Sequence, residues 1–391
     1  MRILYILRNA EGGIRTHVEA LMAGALAAGH EPLLITDLSQ ADKSFKESLA
    51  QDLELRKRVV SIRMRSAPGP WDLTTLWLLY IGLRRARGSG EAKFDVVHGH
   101  GAKGGLFARL CRILRILPKS TAVLYTPHGG SLHAMHGAVM NWLYVAIEKW
   151  LARSTDLVLV ESRYSLEQFE KRIGPGAART LLNRNGIAHL EPNLSPWPKG
   201  LGSAEPLRIG AFGLLRPIKG FDVLIQAVHL VRSRGFKVEL NIWGEGRDRD
   251  KLVQLAKDLA LETEIQIHRE TSNALEKMRE CHVVVQPSHF ESFGLVSLEA
   301  QALGIAVIAS RTGGLIDVVD DEHTGLLVTP ADIEALANKV VWMIEHPDDV
   351  LLMRTRAAKR AHDEFSAEQM VNGALSAYKN VSDLKSREDI T

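Results

Sequence analysis

Short runs of β-branched and aliphatic residues alternate with longer amphipathic segments along this chain, and the alternation starts twice. In the first half the strand candidates are "RILYIL", "EPLLIT", "DVVHGH", "AVLYTPH" and "DLVLVES", with helical segments such as "RTHVEALMAGALAAGH" and "WLYVAIEKWLARS" between them. A stretch rich in Pro and Gly follows, "EPNLSPWPKGLGSAEP". The rhythm then restarts with "LRIGAFG", "VELNIWG", "EIQIH", "VVVQPS", "AVIAS" and "GLLV". A strand that returns through a helix must pair in parallel, so each half is expected to be a sheet covered on both faces. The fold class is α/β: two Rossmann-like, doubly wound parallel-sheet domains facing across a cleft. A chain of 391 residues is long enough for two such cores. The expected division is 1–195 for a first domain, 196–206 for a linker and 207–365 for a second domain. A C-terminal helix at about 366–385 is expected to pack back on the first. The polar tail from Ser382 to Thr391 reads as disordered.

Composition narrows the function. The two cysteines, Cys111 and Cys281, lie far apart in apolar contexts, as in a reducing compartment, and build no metal framework. The N-terminus runs as a strand into a glycine turn with no leader-peptide pattern, so a cytoplasmic location is expected. The most apolar stretch, Trp71–Leu83, is too short to span a bilayer and reads as a buried helix. Charge is divided unevenly: residues 1–195 hold 26 Lys+Arg against 17 Asp+Glu, and residues 196–391 hold 23 against 29. The basic excess falls largely in "RKRVVSIRMR", "RRAR" and "KGGLFARLCRILRILPK". Such a half attracts phosphates or an acidic membrane surface, although solvated helix faces account for it equally well. No aromatic-rich nucleic-acid motif accompanies it, so no nucleic-acid partner is expected.

Glycines punctuate the strand ends: Gly12-Gly13 after the first strand, Gly213 and Gly220 around the first helix start of the second half. Such turns let helix N-termini face an anion. Neither a dinucleotide fingerprint nor a Walker A run occurs. The turn "LLRPIKG" supplies Arg216 and Lys219, cations suited to a diphosphate. In "PSHFESFGLVSLEAQALG", Glu291 and Glu299 lie eight residues apart. That is a little over two helical turns, so both carboxylates can look out on one side. The arrangement fits a solvated face or two acids aimed at one polyhydroxylated ligand.

The order and spacing of "GLLRPIKGFDVLIQAV", "NIWGEG", "PSHFESFGLVSLEAQALGIAVIASRTGG" and "DDEHTGLLVTPADIEALA" resemble the retaining family-4 glycosyltransferases of the GT-B fold. The first half matches more loosely, through "EGGIRTHVEAL", "FDVVHGHGAKGG", "YTPHGG", "VESRYSLEQF" and "NRNGI". The resemblance implies sugar transfer from a nucleotide diphosphate sugar (UDP- or GDP-linked) to an acceptor hydroxyl, with retention and without metal or cofactor, residues 1–195 binding the acceptor and residues 207–365 the donor. Glu299 resembles the glutamate that holds the donor ribose hydroxyls. Glu291 resembles the residue on the sugar ring, with Ser292 and the amides of Phe293, Gly294 and Leu295 near sugar and diphosphate. Lys219, Arg216 and Gly213, with Gly12 and Gly13, are implied on the phosphate side. His128 matches the histidine near the reacting carbon, and His100 one that lines the acceptor side, where support or packing is the other reading. One departure concerns Arg216, which stands two residues later than the family's usual arginine. The basic balance of residues 1–195 leads to the expectation of a glycan or lipid-linked acceptor, as in cell-envelope or exopolysaccharide synthesis, with peripheral membrane contact through that half. A nucleotide-sugar 2-epimerase of the same fold, or an inactive sugar-nucleotide-binding subunit, is the alternative.

Overall fold

The computed structural model describes residues 1–391 apart from 66, 68, 89–92, 131–136, 270–272 and 389–391. It divides into two compact units: Met1–Gly186 with Ala367–Thr391, and Ile187–Ser366.

The first unit runs β1 (Arg2–Leu7), α1 (Gly12–Ala27), β2 (Glu31–Thr36), α2 (Lys43–Gln51), α3 (Leu53–Lys57), β3 (Val59–Ser61) and α4 (Trp71–Gly88). It continues with β4 (Val96–His100), α5 (Gly101–Ile113), β5 (Ala122–Thr126), α6 (Ala138–Ala152), β6 (Leu157–Val160), α7 (Arg163–Ile173) and β7 (Thr180–Leu182). Its sheet has the order β3-β2-β1-β4-β5-β6-β7, and every pair in it is parallel. Side chains alternate across a strand, and β1 shows the result. Ile3, Tyr5 and Leu7 join one core layer, while Leu4 and Ile6 join the other with Val97 and Phe107. The C-terminal helix, Ala367–Glu388, seals the first layer with Ala374 and Tyr378 and packs along α1. The approach is close: a Cβ built on Gly24 would lie 2.2 Å from Val371.

The second unit runs β8 (Leu207–Phe212), α8 (Phe221–Ser233), β9 (Val238–Trp243), α9 (Arg249–Asp258), β10 (Ile265–His268), α10 (Ala274–Arg279) and β11 (Val283–Gln286). It ends with α11 (Leu295–Ala302), β12 (Ala306–Ser310), α12 (Leu315–Val318), β13 (Leu326–Val328), α13 (Ile333–Glu345) and α14 (Pro347–Glu364). The strand order is β10-β9-β8-β11-β12-β13, again parallel throughout. In both sheets the order reverses beside the first strand, between β1 and β4 and between β8 and β11. Ligands of open α/β sheets bind at the carboxyl ends of such reversals.

Four sequence expectations need correction. The stretch Trp71–Leu83, read as a buried helix, buries Thr75, Leu79 and Leu83 on one face of α4 and leaves Leu73 and Trp77 exposed on the other. The division falls at Gly186, not at residue 195, because the stretch meant as a linker is part of the second core. Trp197 and Leu201 are buried there, and the Arg354 guanidinium donates to the carbonyls of Asn193, Ser195 and Gly304. The tail is helical through Glu388, since Val381 is buried and Lys385 pairs with Asp156 at 3.2 Å. The basic run in α5 is also not an open cationic surface. Lys103 pairs with Asp72 at 2.6 Å, Arg109 with Glu148 at 2.7 Å and Arg112 with Asp156 at 2.7 Å.

Candidate active site

Three loops meet at the carboxyl end of the second sheet, around β8 and β11. After Phe212 and Gly213 the chain passes Leu215, buried, and Arg216, exposed, into a single 3-10 turn at Pro217–Lys219. Gly220 then opens α8 with φ +65°, and a Cβ there would lie 2.2 Å from the Pro287 carbonyl. Only glycine lets these two loops approach so closely. The backbone N–H of His289 donates to Ile218 at 2.8 Å and ties the β11 loop to the 3-10 turn. The β12 loop closes from the other side. Gly314 N–H donates to the Glu291 carbonyl at 2.9 Å, and Gly313, at φ +55°, leaves no room for a Cβ beside that carbonyl.

Within this frame the Lys219 ammonium lies 2.5 Å from the Glu291 carboxylate. The same oxygen accepts from Gln286 Nε2 at 2.9 Å. Gln286 is buried at the end of β11, and its Oε1 accepts from the Ser297 N–H at 3.1 Å and the Ser297 hydroxyl at 2.6 Å. One amide thus orients the glutamate and satisfies a donor in the first turn of α11, where N–H groups have no helical partner. Gly294 is the N-cap of α11, in a left-handed conformation, and Leu295 is its first residue. Ser292 is half-buried in the preceding loop, and the Phe293 ring is buried edge-on against Phe365.

Glu291 belongs to the loop and Glu299 to the second turn of α11, half-buried. One acid thus precedes the helix and the other lies inside it. Lys219 and Arg216 also part company. Arg216 lines a cavity of about 260 Å³ between α8 and α9, with Phe221, Asp222, Asp248 and Lys251, and neither Lys219 nor Glu291 belongs to it.

The histidines belong to the first unit. His98 and His100, two apart on β4, share a face with ring centroids 4.0 Å apart. His98 is hydrogen-bonded on both nitrogens, to the Tyr378 hydroxyl at 2.7 Å and the Thr126 hydroxyl at 2.9 Å. His100 Nδ1 lies 3.0 Å from His128 Nε2, and the His17 ring meets His128 edge-on at 4.9 Å. Burial, and then mutual repulsion, holds His98, His100 and His128 well below the usual imidazole range. Burial pushes His17 down to about 4. All four are neutral at neutral pH, so in the His100–His128 bond one ring donates and the other accepts. His128 has φ +49°, followed by Gly129 and Gly130 at +84° and +23°. A left-handed non-glycine residue costs about 1–3 kcal/mol and is found where the surrounding structure fixes it for use. Gly12, the first residue of α1, donates its N–H to Asp42 at 3.2 Å, and Gly13 follows, exposed.

Sequence reading missed Gln286, His17 and Tyr378. Gln286 ends an apolar strand and looks like a plain boundary residue. Tyr378 stands 280 positions from the histidine it meets. His17, within "GGIRTHV", gave the one available signal, a polar residue on the core side of an amphipathic helix.

Comparison with known proteins agrees with this architecture. Residues 12–186 match the family model described as "Glycosyl transferase 4-like domain", and residues 198–363 match "Glycosyl transferases group 1". Over 392 aligned residues the chain is 26% identical to glycogen synthase of Mycobacterium tuberculosis, covering 94% of this chain and 91% of that one. Among solved structures it resembles the sucrose-phosphate synthase of Thermosynechococcus elongatus (TM-score 0.78, 22% identity, 97% and 99% of the two chains). It resembles Anabaena HepE in complex with UDP and glucose equally well (TM-score 0.78, 21% identity, 97% and 99% covered). Two parallel-sheet units matched this way define a glycosyltransferase of the GT-B fold. Within that fold the chain belongs to the family-4/5 glycosyltransferases, one domain model being matched by each unit.

Proposed function

We propose that the chain moves a sugar from a nucleotide diphosphate sugar to an acceptor hydroxyl, keeping the anomeric configuration and using no metal. The observation that carries this reading is the Lys219–Glu291–Gln286 network at the β8/β11 reversal, beside the start of α8. Breaking the anomeric C–O bond puts charge on the departing diphosphate, and a fixed cation at a helix start stabilises it as it grows. In this reading Lys219 exchanges Glu291 for the phosphate, and the released carboxylate takes hydroxyls of the sugar. Glu299 holds the ribose, because two carboxylate oxygens match two vicinal hydroxyls. His128 serves the sugar as a neutral hydrogen-bonding group. The donor-side glycines and the amides of Phe293, Gly294 and Leu295 line the phosphates, and Arg216 joins them only by turning from its α8–α9 cavity. The complex of HepE with UDP and glucose supports a UDP-linked donor.

The acceptor side is read as a glycan or lipid-linked molecule at an anionic membrane surface. The first unit carries 29 Lys+Arg against 20 Asp+Glu. Exposed Leu73 and Trp77 on α4 and Val139, Trp142 and Trp150 on α6 add apolar anchors of the kind an interface takes up. The apolar stretch 106–117 offers no such anchors, since Phe107, Cys111, Ile116 and Leu117 are core. Among the described residues no helix is long and apolar enough to cross a membrane.

The decisive experiment pairs donor titration with product analysis. Glu299→Ala lowers donor affinity about tenfold or more by calorimetry, since charge-assisted bonds of ~1.5–3 kcal/mol are lost. Activity survives EDTA, and NMR of the product shows the donor's anomeric configuration. An inverted linkage or an obligatory divalent ion overturns the mechanism, and unchanged donor affinity overturns the role of Glu299.

A further inference from the structure

At the opposite end of the second sheet, where β8, β11 and β12 begin, lies a cavity of about 220 Å³ to which neither Lys219 nor Glu291 belongs. Trp197, Arg208, Arg279, His282 and Arg354 line it. The three arginines form hydrogen bonds to backbone carbonyls: Arg208 Nε to Glu280, Arg279 Nη1 to Glu191, and Arg354 to Asn193, Ser195 and Gly304. Among the described residues no carboxylate pairs with any of them. Arg208 and Arg279 are exposed and keep guanidinium N–H groups beyond those bonds.

Two further donors belong to the same wall. The indole Nε1 of Trp197 is buried with no hydrogen-bond partner, in a residue 5% exposed. An unpartnered buried donor is rare in folded proteins. His282 Nδ1 accepts from the Arg208 N–H at 3.0 Å, which leaves its proton on Nε2 as a donor. Burial, then the charges of Arg208 and Arg354, holds that imidazole down at about 4, so it stays neutral. The concentration of cations runs against the unit around it, which holds 20 Lys+Arg against 26 Asp+Glu. Glu239, opposite Arg208 in the β8–β9 register, and Glu280, next to Arg279, lie near the cavity, yet neither forms an ion pair with its arginines.

We propose that this cavity is a second anion site, which takes the phosphoryl group of a small phosphomonoester through Arg208, Arg279 and the Trp197 and His282 N–H donors. Forked guanidinium groups match the oxygens of a tetrahedral oxyanion, and Arg354, held by three carbonyls, contributes charge behind them. The site lies at the strand starts, whereas Lys219 and Glu291 lie at the strand ends, so it acts independently of the donor.

The test is calorimetric titration of the full chain with inorganic phosphate and, separately, ribose 5-phosphate at low ionic strength. Wild type is compared with Arg208→Ala, Arg279→Ala, Trp197→Phe and Lys219→Ala, with melting curves to verify folding. The proposal expects one saturable site at millimolar ligand or tighter. Each arginine variant weakens it about tenfold, Trp197→Phe weakens it several-fold, and Lys219→Ala leaves it intact. Tighter ribose 5-phosphate names a phosphorylated metabolite as the occupant, and equal or tighter inorganic phosphate names the free ion. Absence of binding, binding indifferent to both arginine variants, or binding lost only in Lys219→Ala overturns it. None of these outcomes depends on sugar transfer, so the two readings stand or fall separately.

Discussion

Lys219 has two anionic claimants, the Glu291 carboxylate at 2.5 Å and, in the proposed reaction, a diphosphate. Glu291 neutralises the lysine in the resting protein, and the diphosphate outcompetes it as its charge rises. Lys219→Ala is therefore expected to lower kcat more than it raises donor KM. A change in KM alone means that the lysine binds ground and transition states equally. Gln286 makes the matching prediction for stability and activity together. Gln286→Leu strands the buried donors of Ser297 and frees the Glu291 side chain. A loss of ~1–3 kcal/mol in urea denaturation is expected, with a fall in kcat. Denaturation like that of wild type would mean that water replaces the amide. Glu291, Glu299 and Lys219 were legible because their flanking letters form a recognisable order. Gln286 was not, because its importance comes from two partners, five and eleven residues on, that only the folded loop brings to it.

At the level of elements, α6 shows how far periodicity reaches. "WLYVAIEKWLARS" reads as a helix, and a helix forms, but both of its faces are rich in large apolar residues. No moment argument tells which face is buried. In the fold Leu151 and Ala152 turn inward while Trp142 and Trp150 remain 70% and 48% exposed. What fixes that rotation is Glu148, a charge on the inner side. Its carboxylate receives both terminal nitrogens of Arg109 on α5, at 2.7 and 3.2 Å. Arg109 is fully buried, donates to the Gly105 carbonyl at 2.8 Å and stacks 4.0 Å over Tyr125. Glu148→Ala leaves this guanidinium buried without its counter-ion, at an expected cost of about 3–5 kcal/mol. Chemical denaturation checks the value. The double variant Arg109→Met with Glu148→Leu is expected to recover most of the loss, because no charge is then left unpaired. Sequence placed Arg109 in a basic run, and its partner 39 residues away could not be read from either segment.

For the whole molecule, the two-unit plan was legible because strand–helix alternation restarts once. The boundary was not, because a Pro- and Gly-rich stretch reads as a linker whether or not Trp197 is buried within it. The short edge strands β3 and β7 escaped for want of length, with three residues each. Charge distribution misled in the same way: the α5 cations are spent on Asp72, Glu148 and Asp156, acids distant in sequence. The consequence of burying polar groups at this scale is a pH dependence of stability. His17, His98, His100 and His128 are buried neutral, with folded pKa values below the ordinary 6.5. As pH falls through 6.5 the unfolded chain takes up protons that the folded chain refuses, so stability drops, by up to about 1.4 kcal/mol per pH unit for each histidine. For His17 the loss continues until pH reaches about 4. Glu161 opposes this trend, because burial raises its carboxyl to about 7. Between the ordinary 4.5 and that value the folded chain holds the extra proton, and its contribution falls as pH rises. Burial also raises Glu19 and lowers His30, one group on each side. The four clustered histidines outweigh Glu161, so the melting temperature of the first unit is expected to decline steeply from pH 6.5 to 5. His98→Gln with His100→Gln is expected to flatten the slope, even if it lowers stability at pH 7, because two refused protons are removed from the balance. A calorimetric pH series on both proteins decides the matter: parallel curves would mean that these histidines exchange protons freely in the fold, and that their burial does not govern its acid stability.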